Sequence, residues 1–488
     1  MDKPLALDMY IDGKRRGTRS GERFDVLNPA TGEVYATVPK ADFEDVDAAV
    51  DAALNAHEGP WRGVSAIERG GMLQKMARGL ESRADDFAVA ETSHNGKTIS
   101  EAEFDVASTV ACFDYYAGAP TKYFGETIQG PSDFLLYTRR EPVGVCGLIV
   151  PWNYPLAIAV WKLAPALAAG CSVILKPATD TPVTALMLAD LAEEAGIPPG
   201  VVNVVTGPGS VIGRRLAAHP RVDKISITGE TVTGREVMRE ASETLKRVTL
   251  ELGGKSPALI FDDADIDAAV DASMFMVYTN AGQVCDARSR IFVQEPAYDE
   301  FIEKFADRTS KLRVGDPMDR SNHIGAITSA RQLERVEYYV ELGQKEGAKL
   351  AVGGERVEVG GGYFYRPTAF VDLDNSMRIA QEEIFGPVAV IGQFRDYDEG
   401  IRLANDTVYG LAATVWTGAL TTAHRAAHDI RAGGVWINTS EFLFNESPFG
   451  GMKRSGYGRE LGMHALDAYT EIKNIGVSLG AHMPTFEL

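Results

Sequence analysis

Three residues stand where carbonyl chemistry could use them. Cys285 follows a polar, glycine-containing loop in NAGQVCDARSR. A single cysteine is usually a buried core residue, but polar surroundings weaken that reading, and a thiolate attacks carbonyl carbon well. Glu251 closes the apolar stretch of LELGGKSP, directly before a Gly-Gly turn. A carboxyl at the carboxyl edge of a strand is expected to be partly buried, which raises its pKa towards the range of a general base; the alternative is a strand end facing solvent. Asn153 lies in PWNYP between two prolines that fix the backbone. An amide held rigidly after a strand suits donation to a developing oxyanion, although an isolated motif of this kind reads as a turn.

Regular elements must place these groups. VGVCGLIV (143–150) is a continuous apolar run of strand length, followed by a helical segment from Leu156 that stops at Gly170. CSVILK (171–176), VVNVVTG, KISITG and RVTLELGG repeat the strand signal, with helices predicted at 182–195, 209–218 and 231–242 between them. Apolar strands separated by helices of crossover length indicate an α/β, doubly wound parallel sheet, whose ligands bind outside the carboxyl ends of the strands. A second alternating set begins after Gly254 with PALIF, RIFVQ, VAVIGQF and GGVWIN. Residues 1–124 and 142–253 are therefore expected to form one doubly wound domain and 254–453 a second α/β domain. Segments 125–141 and 469–488 read as extended arms without an obvious local partner, a pattern that suits oligomerisation as a homodimer or homotetramer.

Composition narrows the function. The 488 residues exceed what one core usually organises. The net charge of −19 argues against nucleic acid or an anionic membrane as a partner. Four scattered cysteines fit neither a disulfide framework nor a metal site, and they suit a reducing, cytoplasmic setting. The N-terminus does not read as a signal peptide, and no apolar run reaches the length of a membrane span.

The segments PWNYPL, LKPATDTP, ITGETVTG, LELGGKSP, GQVCDARSR, EEIFGPV and SPFGGMKRSGYGREL occur in an order that resembles the aldehyde dehydrogenase superfamily over nearly the whole chain. The resemblance implies oxidation of an aldehyde to a carboxylic acid with NAD or NADP. Cys285 would form a thiohemiacetal and then a thioester, with Asn153 and the Cys285 N–H holding the oxyanion and Glu251 activating water. Lys162 and Glu460 match a pair that relays protons from Glu251. Trp152, Lys176, Glu383 and Phe385 match cofactor contacts. Gly207 opens GPGSVIG (207–213), whose glycine spacing is one residue too long for a Rossmann fingerprint.

Two positions depart from the family pattern. Thr179 stands where many NAD-using members carry a glutamate, and its absence removes a barrier to a 2′-phosphate, so NADP is expected to be tolerated. Glu230 stands where serine is usual, beside the expected pyrophosphate site; its carboxylate is expected to point away, leaving Gly229 to face the cofactor. On the substrate side, Tyr154 and Trp161 match tunnel aromatics, with Phe449 and Leu443 opposite. Asp286 and Glu441 would add negative charge, which suits an aminoaldehyde or betaine aldehyde. Thr279, where betaine-type members often carry an aromatic residue, counts against that, and a broad aliphatic or aromatic aldehyde is the alternative. A cofactor-free thiol esterase and a catalytically inactive relative are the competing classes.

Overall fold

The computed structural model describes residues 3–440, 443–480 and 486. Strands Val145–Ile149, Ser172–Lys176, Val202–Val204, Lys224–Gly229 and Arg247–Leu252 pair in parallel. Across the sheet they run fifth, fourth, first, second, third. The chain therefore leaves Val145–Ile149 towards one edge and later returns beside it at Lys224–Gly229. That reversal opens a crevice at the carboxyl ends of these two strands, the place where doubly wound sheets bind ligands. Met9–Ile11 and Lys14–Arg16 extend one edge, and Gly456–Tyr457 pairs antiparallel with Arg247–Leu252 at the other.

The helix Pro155–Ala169 is apolar on almost every side, so it is stable only when covered all round. It packs between the sheet and the helices Ala66–Ser82 and Ile99–Ala117. Gly170, with φ +95°, ends it by donating its N–H to the Ala166 and Leu167 carbonyls, a left-handed cap that glycine adopts without a Cβ penalty. The two covering helices each start at a capping box, Ser65 with Glu68 and Thr98 with Glu101.

The second sheet contains Pro257–Ile260, Arg290–Gln294, Thr368–Val371, Val388–Phe394, Ala412–Trp416 and Gly434–Ile437, all parallel, with Lys349–Val352 antiparallel at one edge. Its leading strands begin just after Gly254, Cys285 and Glu383, so the loops entering this sheet face the carboxyl ends of the first. The segments read as unpartnered arms in fact pair with each other. Phe134–Pro142 and Thr470–Ser478 run antiparallel over nine residues, from Thr470 opposite Pro142 to Ser478 opposite Phe134. Sequence distance hid the partner. No helix among the described residues is long and apolar enough to cross a membrane.

Candidate active site

Cys285 and Asn153 line one crevice at the reversal of the first sheet, together with Trp152, Gly229, Glu383 and Phe385. Asn153 is 2% exposed, and its Nδ2 donates to the Gln283 carbonyl at 2.9 Å. That bond uses one amide hydrogen and leaves the second for another acceptor. The loop before Cys285 turns through Asn280, Ala281 and Gly282, all with positive φ. At Gly254 a Cβ would approach the Cys285 carbonyl to 2.7 Å, so glycine at this strand-end turn lets the Cys285 loop pack against it.

Glu251, unlike its neighbours Leu252 and Gly253, does not line the crevice. It is 3% exposed, and neither carboxyl oxygen has a well-formed hydrogen bond. Burial, then the nearby Glu460 charge, push its pKa well above the usual range; Lys162, Arg459 and the Gly451 N–H only partly oppose them. Lys162 and Glu460 form a buried ion pair, and the Ser226 hydroxyl accepts from Lys162 Nζ at 3.2 Å. Glu460 is fixed through reciprocal backbone hydrogen bonds with Phe449. The pair matched by sequence therefore meets in space and faces Glu251.

On the cofactor side, Glu383 Oε1 accepts the Gly254 N–H at 3.0 Å. A side chain at Gly253 would collide with the Glu383 carboxylate, so this glycine makes the close approach possible. Burial raises the Glu383 pKa to about 7, against the Gly254 bond and the Arg335 and Lys255 charges. Phe385, with φ +62°, stands edge-on to Trp152 with ring centroids 5.1 Å apart. Lys176, Thr179 and Gly207 do not line this crevice; they cluster beyond the end of Ser172–Lys176. Burial lowers the Lys176 pKa to about 8, and the Thr179 hydroxyl donates to the Gly207 carbonyl at 3.4 Å. Glu230 is the exposed N-cap of the helix Thr231–Ser242 without a side-chain cap bond. It lines the crevice with Gly229, and its charge acts to raise the Glu383 pKa. Glu230 thus lies at the crevice rim.

The substrate-side residues divide. Cys285, Tyr154 and Trp161 pack against the core that contains Phe449, and Trp161 and Phe449 have ring centroids 5.7 Å apart. Tyr154 precedes the helix as its N-cap, and the buried Lys97 ammonium lies 4.1 Å from its ring centroid. Asp286 does not supply an uncompensated charge: it is buried and accepts from Arg288 Nη1 at 2.9 Å. A buried carboxylate keeps its charge only when paired, which explains the arrangement. Thr279 ends the helix Ile266–Tyr278, half-buried, and Leu443 is exposed. Glu441 lies outside the described residues.

Residues 16–475 match the model of the aldehyde dehydrogenase family. The chain belongs to that family. Its members are oxidoreductases acting on aldehydes. An aldehyde dehydrogenase of Emericella nidulans is 46% identical over 98% of this chain and 96% of its own length. The human mitochondrial aldehyde dehydrogenase is 46% identical over 96% of this chain and 92% of its own. Among solved structures, the NAD+ complex of aldehyde dehydrogenase from Bacillus cereus has a TM-score of 0.96 at 44% identity, covering 97% of each chain. Betaine aldehyde dehydrogenase from Staphylococcus aureus in complex with NAD+ has a TM-score of 0.96 at 39% identity, covering 98% of this chain and 96% of that one.

Sequence reading missed several parts of this aldehyde dehydrogenase site. Arg335 Nη2 donates to the Glu383 carbonyl at 2.7 Å and Gln332 Nε2 to the Phe385 carbonyl at 2.7 Å. The two are one helical turn apart on Ala330–Lys345 and together hold the EEIFGPV turn. Asn95 Nδ2 donates to the Trp152 carbonyl at 2.8 Å. These side chains grip backbone carbonyls, and such contacts leave no periodic signal in a sequence.

Proposed function

We propose that the chain oxidises an aldehyde to a carboxylic acid through a covalent bond to Cys285. The observation that carries this reading is the convergence of Cys285, Asn153, Glu383 and Phe385 on one crevice at the sheet reversal. Cys285 Sγ attacks the aldehyde carbon as the thiolate, forming a C–S bond while the carbonyl π pair moves to the oxygen. The remaining Asn153 Nδ2 hydrogen and the Cys285 N–H hold that oxyanion. Cys285 is left carrying a thioester once this carbon loses its hydride, for which a nicotinamide dinucleotide, when bound, would supply the acceptor. Glu251 then takes a proton from water as it attacks the thioester carbon, and the C–S bond breaks to release the acid. Glu460 and Lys162, beside Glu251, are suited to pass that proton on. Splitting the reaction in this way lowers each barrier.

The residues present fit such a cofactor. The glycine at 253 clears space beside the Glu383 carboxylate, whose burial suits an acceptor for ribose hydroxyls. Lys176, buried at a strand end, suits the adenosine ribose, and relatives carrying NAD+ support NAD as the partner. Thr179 places no carboxylate against a 2′-phosphate, so measurable NADP-dependent turnover is expected in side-by-side kinetics; strict NAD use would contradict this part of the reading.

We assign neutral aliphatic or aromatic aldehydes as substrates. Trp161 and Phe449 offer apolar faces, Tyr154 already has the Lys97 cation over its ring, and Asp286 is neutralised by Arg288. Cation–π attraction for a positively charged aldehyde is weakened accordingly. Comparison of kcat/KM across propanal, benzaldehyde, an aminoaldehyde and betaine aldehyde tests the assignment; preference for either of the last two overturns it.

A further inference from the structure

The three residues before Val284 and Cys285 that have positive φ form a strained run. Asn280 and Ala281 sit at φ +51° and +52°, a region that costs a non-glycine residue roughly 1–2 kcal/mol. Such strain persists only where the surroundings over-determine it. Three side-chain amides do so here by closing a cycle, each donating to the backbone carbonyl of the next. Asn280 Nδ2 donates to the Asn153 carbonyl at 2.8 Å. Asn153 Nδ2 donates to the Gln283 carbonyl at 2.9 Å. Gln283 Nε2 donates back to the Asn280 carbonyl at 3.0 Å. All three residues are buried, at 1%, 2% and 0% exposure. Two outside contacts anchor the cycle: the Asn280 N–H donates to Glu101 Oε1 at 2.7 Å, and Gln283 Oε1 accepts the Thr328 N–H at 2.9 Å. Glu101 is itself held by the capping box at Thr98.

We propose that this amide cycle sets the spacing between the two oxyanion donors, the Asn153 amide and the Cys285 N–H, and that Asn280 is its positioning residue. The inference rests on the reading of Asn153 as an oxyanion donor. The cycle links the Asn153 turn, which follows a strand of the first sheet, to the Cys285 loop, which enters the second. Without the Asn280 amide the two turns are joined by one side-chain bond, and a donor displaced by about 1 Å can cost up to about 100-fold in rate.

Asn280→Gly deletes the amide while keeping a residue that tolerates the left-handed backbone. Asn280→Asp keeps the shape and replaces the donor by an acceptor facing the Asn153 carbonyl, so it tests the same point if the glycine variant does not fold. The single-turnover rate of cofactor reduction is expected to fall about tenfold or more in either variant. Cofactor affinity, aldehyde KM and the alkylation rate of Cys285 by iodoacetamide are expected to stay within about twofold. Asn153→Ala serves as the reference. If it loses the burst while both Asn280 variants keep theirs, the cycle proposal fails and the oxyanion reading stands. If Asn153→Ala keeps the burst rate, the oxyanion reading fails and takes the proposal with it. An equal loss of Cys285 alkylation in the Asn280 variants also overturns the proposal, because the whole loop would then have collapsed.

Discussion

Glu251 binds its proton more tightly than an ordinary glutamate, because burial and Glu460 both penalise its charge. Its base form therefore appears only as pH rises beyond the usual carboxylate range, and thioester hydrolysis should increase over that interval. Glu251→Gln should lower steady-state turnover by about 10²–10⁴-fold while preserving one burst of reduced cofactor, read by stopped-flow absorbance. The linkage has a definite sign. A pKa raised on folding contributes stability at low pH that is lost as pH rises through the folded value. Thermal melts should thus show Glu251→Gln gaining on the wild type at alkaline pH and not in acid. Glu383, raised to about 7, gives a separate signal: its charged form accepts ribose hydroxyls better, so cofactor KM should fall as pH rises through neutrality. A profile unchanged by Glu383→Gln would contradict its role. The positions of Glu251 and Asn153 were readable because one ends an apolar strand and the other follows one, whereas Cys285 stood out only by the polar, glycine-containing loop before it. Asn280 and Gln283 were not, since a side-chain amide bonding a distant carbonyl follows no period. Asp286 was misread as a free charge because its partner Arg288, two residues on, could equally have pointed elsewhere.

At the scale of elements, the alternation of apolar strands and helices was readable because both faces of a parallel sheet are covered, leaving unbroken Val, Ile and Leu runs. Local caps fix other helix starts: Asp42 caps Phe43–Glu58 and Asp265 caps Ile266–Tyr278. Long-range returns were invisible. Gly456–Tyr457 is too short to announce itself, yet it pairs with Leu250 and Glu251 at one end of the sheet. The turn after Arg247–Leu252 carries a sharper expectation. Gly253→Ala places a methyl against the Glu383 carboxylate, so cofactor KM should rise about tenfold or more while Cys285 alkylation without cofactor stays unchanged. Lys162 couples the helix Pro155–Ala169 to Glu460 across the core. Lys162→Met leaves that buried carboxylate without its cation and should cost about 3–5 kcal/mol in denaturant unfolding.

At the scale of the molecule, two sheets meet with their loop-bearing ends together, and the site lies where the loops face each other. The paired strands Phe134–Pro142 and Thr470–Ser478 expose apolar residues, including Ile472 at 61% and Val477 at 40%. A nine-residue edge strand with such side chains is a template for pairing, so we infer that it joins copies of this chain. Ile472→Glu with Val477→Glu should shift sedimentation to a smaller species; an unchanged coefficient would contradict that role. The central claim concerns one bond. Glu251→Gln incubated with NAD and a simple aldehyde, quenched in acid and analysed by intact-mass and peptide spectrometry, should carry one acyl group on the peptide containing Cys285. An unmodified protein despite formation of reduced cofactor, or an acyl group on another residue, would contradict the account.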